Sequence, residues 1–182
     1  AEGWVMGCDI HLYIEHAHPQ PDDKKLYWQS LGGRINPGRD YDLFAKIAGV
    51  REYSDQPSKC LIPPKGSPVD LGWSAADDDR FRVIPDGEEE SGEREVNRSR
   101  AEEWIKYGSH WIALDEGRPE YWVSDPDNHS HTWLTPQEFR AALEAPRDPA
   151  WGIDAEYFAV LAAVEELVRH GKMARLVIWF DN

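Results

Sequence analysis

The sequence predicts an α+β domain with a mixed sheet whose central strands come from the two ends of the chain. Three observations carry this. Apolar runs open and close the sequence, Trp4 to Ile14 and Met173 to Phe180. A capping signal, Thr135-Pro136-Gln137-Glu138, starts a helix in the last third. An apolar stripe at helical spacing, Ile153, Tyr157, Val160, Leu161, Val164, Leu167 and Val168, then marks the longest helix, over about 153–170. The two apolar runs are the natural neighbours at the centre of a sheet, with that helix across one face.

The first strand is expected over roughly 4–15, with a returning strand near 25–30. Met6-Gly7 reads as a natural start, with 1–5 as upstream residues. Gly32, Gly33, Pro37 and Gly38 mark a loop. Asp40 caps a short helix with Leu43, Phe44 and Ile47 on its inner face, and Gly49 stops it. Residues 50–92 read as a long irregular insert, broken by Pro57, Pro63, Pro64, Pro68 and Pro85, of the kind that is functional or mobile. Its acid runs, Asp77-Asp78-Asp79 and Glu88-Glu89-Glu90, read first as solvated loop and only secondarily as a cation site. A helix is expected over 93–107. A hairpin is expected from 111–114 and 121–123, around Asp115-Glu116-Gly117-Arg118-Pro119. The Thr135 helix ends before Pro146, and Gly171 stops the long one.

Composition narrows the function classes. At 182 residues, with 41% hydrophobic and 12% aromatic residues, the chain can bury one core and reads as a single domain, 1–182. Its net charge of −14 repels phosphate backbones and argues against nucleic acid as a partner. No run reaches the ~20 apolar residues of a membrane span, and no secretory leader is evident, so a cytoplasmic protein is expected. Two cysteines, Cys8 and Cys60, do not make a disulfide framework.

The chemistry concentrates in histidine pairs. On a strand, Asp9 and His11 point to one face. His129 and His131 repeat the alternation in a polar stretch. Together they offer the roughly four N or O donors a divalent ion needs, zinc before others. Such an ion would activate a bound water near neutral pH. The competing reading has Asp9 paired with His11, and His129 and His131 bonded to backbone. Arg39 and Asp42, around the cap of the short helix, are candidates for gripping a substrate phosphate and for a catalytic base. Trp133 and Trp179 could wall a pocket, and Asp181 shares a strand face with Trp179. His110 reads as an ordinary residue. No phosphate-binding glycine loop, nucleophile elbow, zinc-finger spacing or His-Glu-x-x-His is present.

Three blocks together resemble a group of small bacteriophage and prophage proteins that carry no assigned activity. They are Met6-Gly7-Cys8-Asp9-Ile10-His11, Arg39-Asp40-Tyr41-Asp42-Leu43-Phe44-Ala45 with Ala48-Gly49-Val50-Arg51, and His129-Ser130-His131-Thr132-Trp133-Leu134-Thr135. A terminal Trp179-Phe180-Asp181-Asn182 completes the set. Residues 109–124 read as an insertion relative to that pattern. The resemblance implies a phage context, hence the host cytoplasm, and work such as host takeover or anti-defence. The expected function is a metal-dependent hydrolase of a phosphoester or nucleotide, with a nucleotide or other small phosphate as ligand. The alternative is a non-enzymatic accessory protein that sequesters a host protein or small ligand.

Overall fold

A computed structural model describes residues 7–20, 23–52, 57–89, 91–112, 122–147, 152 and 154–181. The expected start at Met6, residues 1–5 and the tip of the expected hairpin lie outside these.

Strands β1 (Asp9–Gln20), β2 (Asp23–Ser30), β6 (Asn128–Leu134) and β7 (Met173–Asp181) form the main sheet in the order β2-β1-β7-β6. Every pairing in it is antiparallel. The strands nearest the two chain ends are therefore its inner pair, in register from Asp9↔Asp181 to Ala17↔Met173. A smaller, mixed sheet holds β3 (Arg80–Ile84), β4 (Glu95–Asn97) and β5 (Trp122–Ser124) in the order β4-β3-β5. The fold is α+β, as the apolar runs predict.

Alternation along β1 and β7 sends residues to two unlike faces. Ile10, Leu12, Ile14, Leu176, Ile178 and Phe180 face helices α1 (Tyr41–Ala48), α4 (Pro136–Glu144) and α5 (Ala155–Arg169), and share one core with them. Cys8 belongs to that core, and both cysteines are free thiols. The helix ends follow their local chemistry. The Asp40 side chain accepts the Leu43 N–H, and Gly49 closes α1 at φ 64°. Thr135 and Glu138 form the reciprocal capping box of α4, with Pro136 in its first turn.

Tyr13, Val177 and Trp179 occupy the other face, beneath Leu71, Ala75 and Trp133. Residues 71 and 75 come from the segment read as irregular insert. That segment contains β3 and the short helix α2 (Trp73–Asp78). Six residues of helix and five of strand are too short to impose a period on a proline-rich sequence. Tertiary bonds fix them instead. Buried Arg175 donates to Glu15 from Nε at 2.9 Å and to Asp70 from Nη1 at 2.8 Å. Glu15 also accepts the Gly72 N–H at 2.8 Å. A β-carbon on Gly72 would lie 2.5 Å from Glu15 Oε1, so this close approach requires glycine. The strap holds α2 against the polar half of the face. The expected helix over 93–107 divides into β4 and α3 (Arg98–Lys106). Among the described residues no helix is long and apolar enough to cross a membrane.

Candidate metal centre

Trp179 is the floor of the site. It lies on β7, 1% exposed, with a strand on either side. From β1, His11 and Tyr13 stack near its indole with centroids 5.3 and 5.5 Å away. From β6, His131 stacks near it at 5.8 Å. His11 and His131 are thus two strand spacings apart, roughly 9.5 Å, with an indole between them.

The roof is the acid run at the end of α2. Its three carboxylates go three ways. Asp77 pairs with Arg80 at 3.2 Å. Asp78 lies 2.9 Å from His11 Nδ1 and accepts the Tyr13 hydroxyl at 2.9 Å. Asp79, 0% exposed, has both oxygens within 3.0 Å of His131 Nε2, and its Oδ1 also accepts from Asn128 Nδ2 at 2.9 Å. Three like charges in sequence are tolerable because each finds a different cation or donor. The solvated-loop reading of Asp77-Asp78-Asp79 is therefore wrong for Asp79 and for half of Asp78's contacts.

His110 completes the group. Its backbone is clamped to β5: the His110 N–H donates to Ser124 Oγ, and its carbonyl accepts the Ser124 N–H, both at 2.9 Å. The clamp turns the ring edge-on to His131 at 5.0 Å. Its Nε2 is buried and has no hydrogen-bond partner. Burial, and then the neighbouring His131, push His110 below the ordinary histidine range. It is therefore neutral at pH 7, with a lone pair on one ring nitrogen.

Asp79, His110 and His131 each present one donor atom, and the three lie within 4.8 Å of one another. This group could hold a metal ion. Two donors on a tetrahedral ion sit about 3.3 Å apart, so Asp79 and His131 would open by a few tenths of an ångström while His110 closes on them from a separation of up to 4.8 Å. The Asn128 bond supplies the outer-sphere orientation that metal carboxylates ordinarily have. Asp79 and His110 belong to the small-sheet side and His131 to the main sheet, so the group joins the two.

Of the residues expected to hold an ion, His131 alone is in this group. Asp9, His11, His129 and His131 do not converge. Asp9 is held by Arg39, from Nε at 2.6 Å and Nη2 at 3.1 Å. His11 lies between Asp78 and Asp181, 2.9 and 3.0 Å from its two nitrogens. His129 is on the opposite face, stacked near Phe180 at 6.2 Å. The cause is a register shift between His129 and Thr132, with Ser130 at φ 53°. A bulge inserts one residue and reverses the alternation, so the two histidines part.

The other candidate residues have these surroundings. Arg39, expected to grip phosphate, already has its guanidinium on Asp9. Asp42, expected as a base, is on the helical side of the sheet, 2.7 Å from Lys46 and 3.4 Å from Lys59. Burial raises the Asp42 carboxyl, but Lys46, Arg147 and Lys59 outweigh it and hold it below the usual range. Trp133 is on the site's face, with Lys65 Nζ 4.1 Å from its ring centre. Asp181 does approach Asp9, whose N–H it accepts at 3.1 Å.

Asp79 and His110 escaped the sequence reading. The available signals were an acid run flanked by apolar Ala75-Ala76 and Phe81, and a histidine beside Trp111-Ile112. Compared with protein-family models, with curated proteins and with solved structures, the chain has no match.

Proposed function

We propose that Asp79, His110 and His131 bind a divalent ion, zinc, and that the protein is a metal-dependent hydrolase of a phosphoester or nucleotide. The observation that carries the reading is the approach of donor atoms of Asp79, His110 and His131 to within 4.8 Å of one another, with His110 Nε2 buried and without a hydrogen-bond partner. Two nitrogens and one oxygen favour zinc over magnesium or calcium, which take all-oxygen shells. Three protein ligands leave a position for water, and a bound ion brings that water's pKa near neutrality.

The chain's own groups supply the rest. Asp78, next to Asp79, is bonded to His11 and Tyr13, so a proton-accepting carboxylate stands one residue from the ligand set. Arg94, half-exposed, lies 3.0 Å from Asp125 and 3.8 Å from Asp78. Lying beside Asp78, it is the cation placed to orient an anionic substrate oxygen at this site. The resemblance to phage and prophage proteins favours a nucleotide signal in an infected host as the substrate class.

Elemental analysis of the purified protein, paired with hydrolysis of bis(p-nitrophenyl) phosphate, tests this. The expected result is stoichiometric zinc, with turnover that is lost on chelation and in Asp79→Asn. Absence of metal after reconstitution would sink the whole reading. Stoichiometric metal without turnover on phosphoesters or nucleotides would remove the hydrolase and leave a metal-containing binding protein.

A further inference from the structure

Tryptophan is highly buried on average, yet Trp73, the first residue of α2, is 68% exposed. Its indole is nonetheless held. The Arg80 guanidinium lies over one face, with Cζ 4.3 Å from the ring centre. A second indole, Trp122 at the start of β5, lies 4.0 Å from the same carbon. Arg80 is enclosed by the two rings and is 1% exposed. It donates one hydrogen bond, from Nη2 to Asp77 at 3.2 Å, and its Nε and Nη1 have no partner. Aromatic faces rather than hydrogen bonds set its plane. With one face of Trp73 covered by Arg80 and most of the residue in solvent, the opposite face is open.

This stack is joined to the metal centre through the chain. Arg80 follows Asp79 directly, and Trp122 is two residues from Ser124, which clamps His110. Trp73 opens α2 and Asp79 caps its end, six residues and about 9 Å along the helix axis. That span is of the order of a nucleoside, from base to phosphate ester oxygen. Asp77, one turn on from Trp73, is charged and 63% exposed. The open indole is therefore not continued along α2 as an apolar stripe, and the charge-depleted core of a protein interface has no counterpart here. A neutral planar ring is the occupant that fits. Stacking on an indole needs no excess of positive charge, which suits a chain of net charge −14.

We infer that the open face of Trp73 is the base platform of the metal centre's substrate, and that this substrate is a purine nucleotide. The inference rests on the reading of Asp79, His110 and His131 as a hydrolytic metal site. The base lies on the indole while the phosphate reaches the ion at the far end of α2. Two fused rings match the indole in area better than one. The Arg80 cation behind the indole draws π density away from the outer face, so that face meets an electron-rich ring better than a second cation.

The test measures binding to the zinc-reconstituted full chain of two probes that differ by the base, adenosine 5′-monophosphate and ribose 5-phosphate. Calorimetry reads affinity, and indole N–H chemical shifts read location. The wild type should bind the base-bearing probe about tenfold tighter. That probe alone should shift the Trp73 indole resonance, identified by its absence in Trp73→Ala. Trp73→Ala, at an exposed position, should bring the two affinities together, and Trp73→Phe should keep part of the preference. Binding of neither probe, equal affinity of the wild type for both, or a preference undiminished in Trp73→Ala overturns the platform while zinc content leaves the metal centre standing. Absence of zinc in elemental analysis overturns the metal reading, and the platform with it.

Discussion

Replacing His110 by alanine separates a metal ligand from a structural histidine. In the metal-free protein the ring's Nε2 bonds to nothing, so its removal leaves no partner unsatisfied. The backbone clamp to Ser124 is untouched. What is lost is an edge contact with His131 and some burial, a cost of about 1 kcal/mol or less. With zinc the variant should behave very differently. Zinc at 1,000 times its dissociation constant stabilises a protein by about 4 kcal/mol. For a chain of 182 residues each kcal/mol moves the Tm by roughly 2–4 °C, so the wild type should gain about 8–16 °C. In His110→Ala, with one of three ligands gone, the gain should nearly vanish. Scanning calorimetry with zinc and with chelator reads both quantities. An equal zinc-dependent shift in wild type and His110→Ala would refute the ligand assignment. His129→Ala is the matched control, because the bulge at Ser130 puts His129 on the other face; its zinc shift should equal that of the wild type.

Three further outcomes follow from the same geometry. Gly72→Ala should destabilise by roughly 1–3 kcal/mol in chemical denaturation, because its β-carbon meets Glu15 at 2.5 Å and the Trp28 carbonyl at 3.1 Å. Arg39→Ala should leave the denaturation midpoint nearly unchanged and hydrolysis intact, since the Arg39–Asp9 pair is solvent-screened. Acid should destabilise through Asp78. Burial raises its carboxyl, but bonds from His11 and Tyr13 prevail and hold it below the usual range. A depressed folded-state value means the contribution is complete above the unfolded value, about 3.9, and lost as pH falls through the folded one. The stability difference between wild type and Asp78→Asn should therefore shrink below about pH 4.

The frame was legible because it rests on long, periodic signals. The apolar ends pair residue for residue, Thr135 and Glu138 form their capping box, and Asp40 and Gly49 bound α1. Of the site only His131 was legible. Alternation puts His129 and His131 on one face only along an unbroken strand, and one extra residue between His129 and Thr132 sends His129 away. Asp79 was hidden for a different reason. A run of three aspartates is ordinarily solvated, and nothing local says that a strap through Arg175, Glu15 and Gly72 presses this one onto a sheet. His110 depends on pairing with Ser124, fourteen residues on, a contact that no local pattern encodes.

The two aspartates that end α2 give the site its asymmetry. Asp78 and Asp79 are adjacent, yet they reach opposite sides of the same indole, one toward β1 and the other toward β6. On the β1 side every donor is already satisfied: His11 has a carboxylate on each nitrogen and Tyr13 gives its proton to Asp78. That half has no unbonded imidazole nitrogen to offer an ion. On the β6 side His110 keeps an unbonded nitrogen beside Asp79 and His131, and two of these three residues come from the small-sheet side. An ion there would tie β3 and β5 to the main sheet as well as activate water. Metal binding should therefore slow amide exchange in Val123 and Phe81, which carry no ligand, and a rise in protection confined to the three ligands would argue against that coupling.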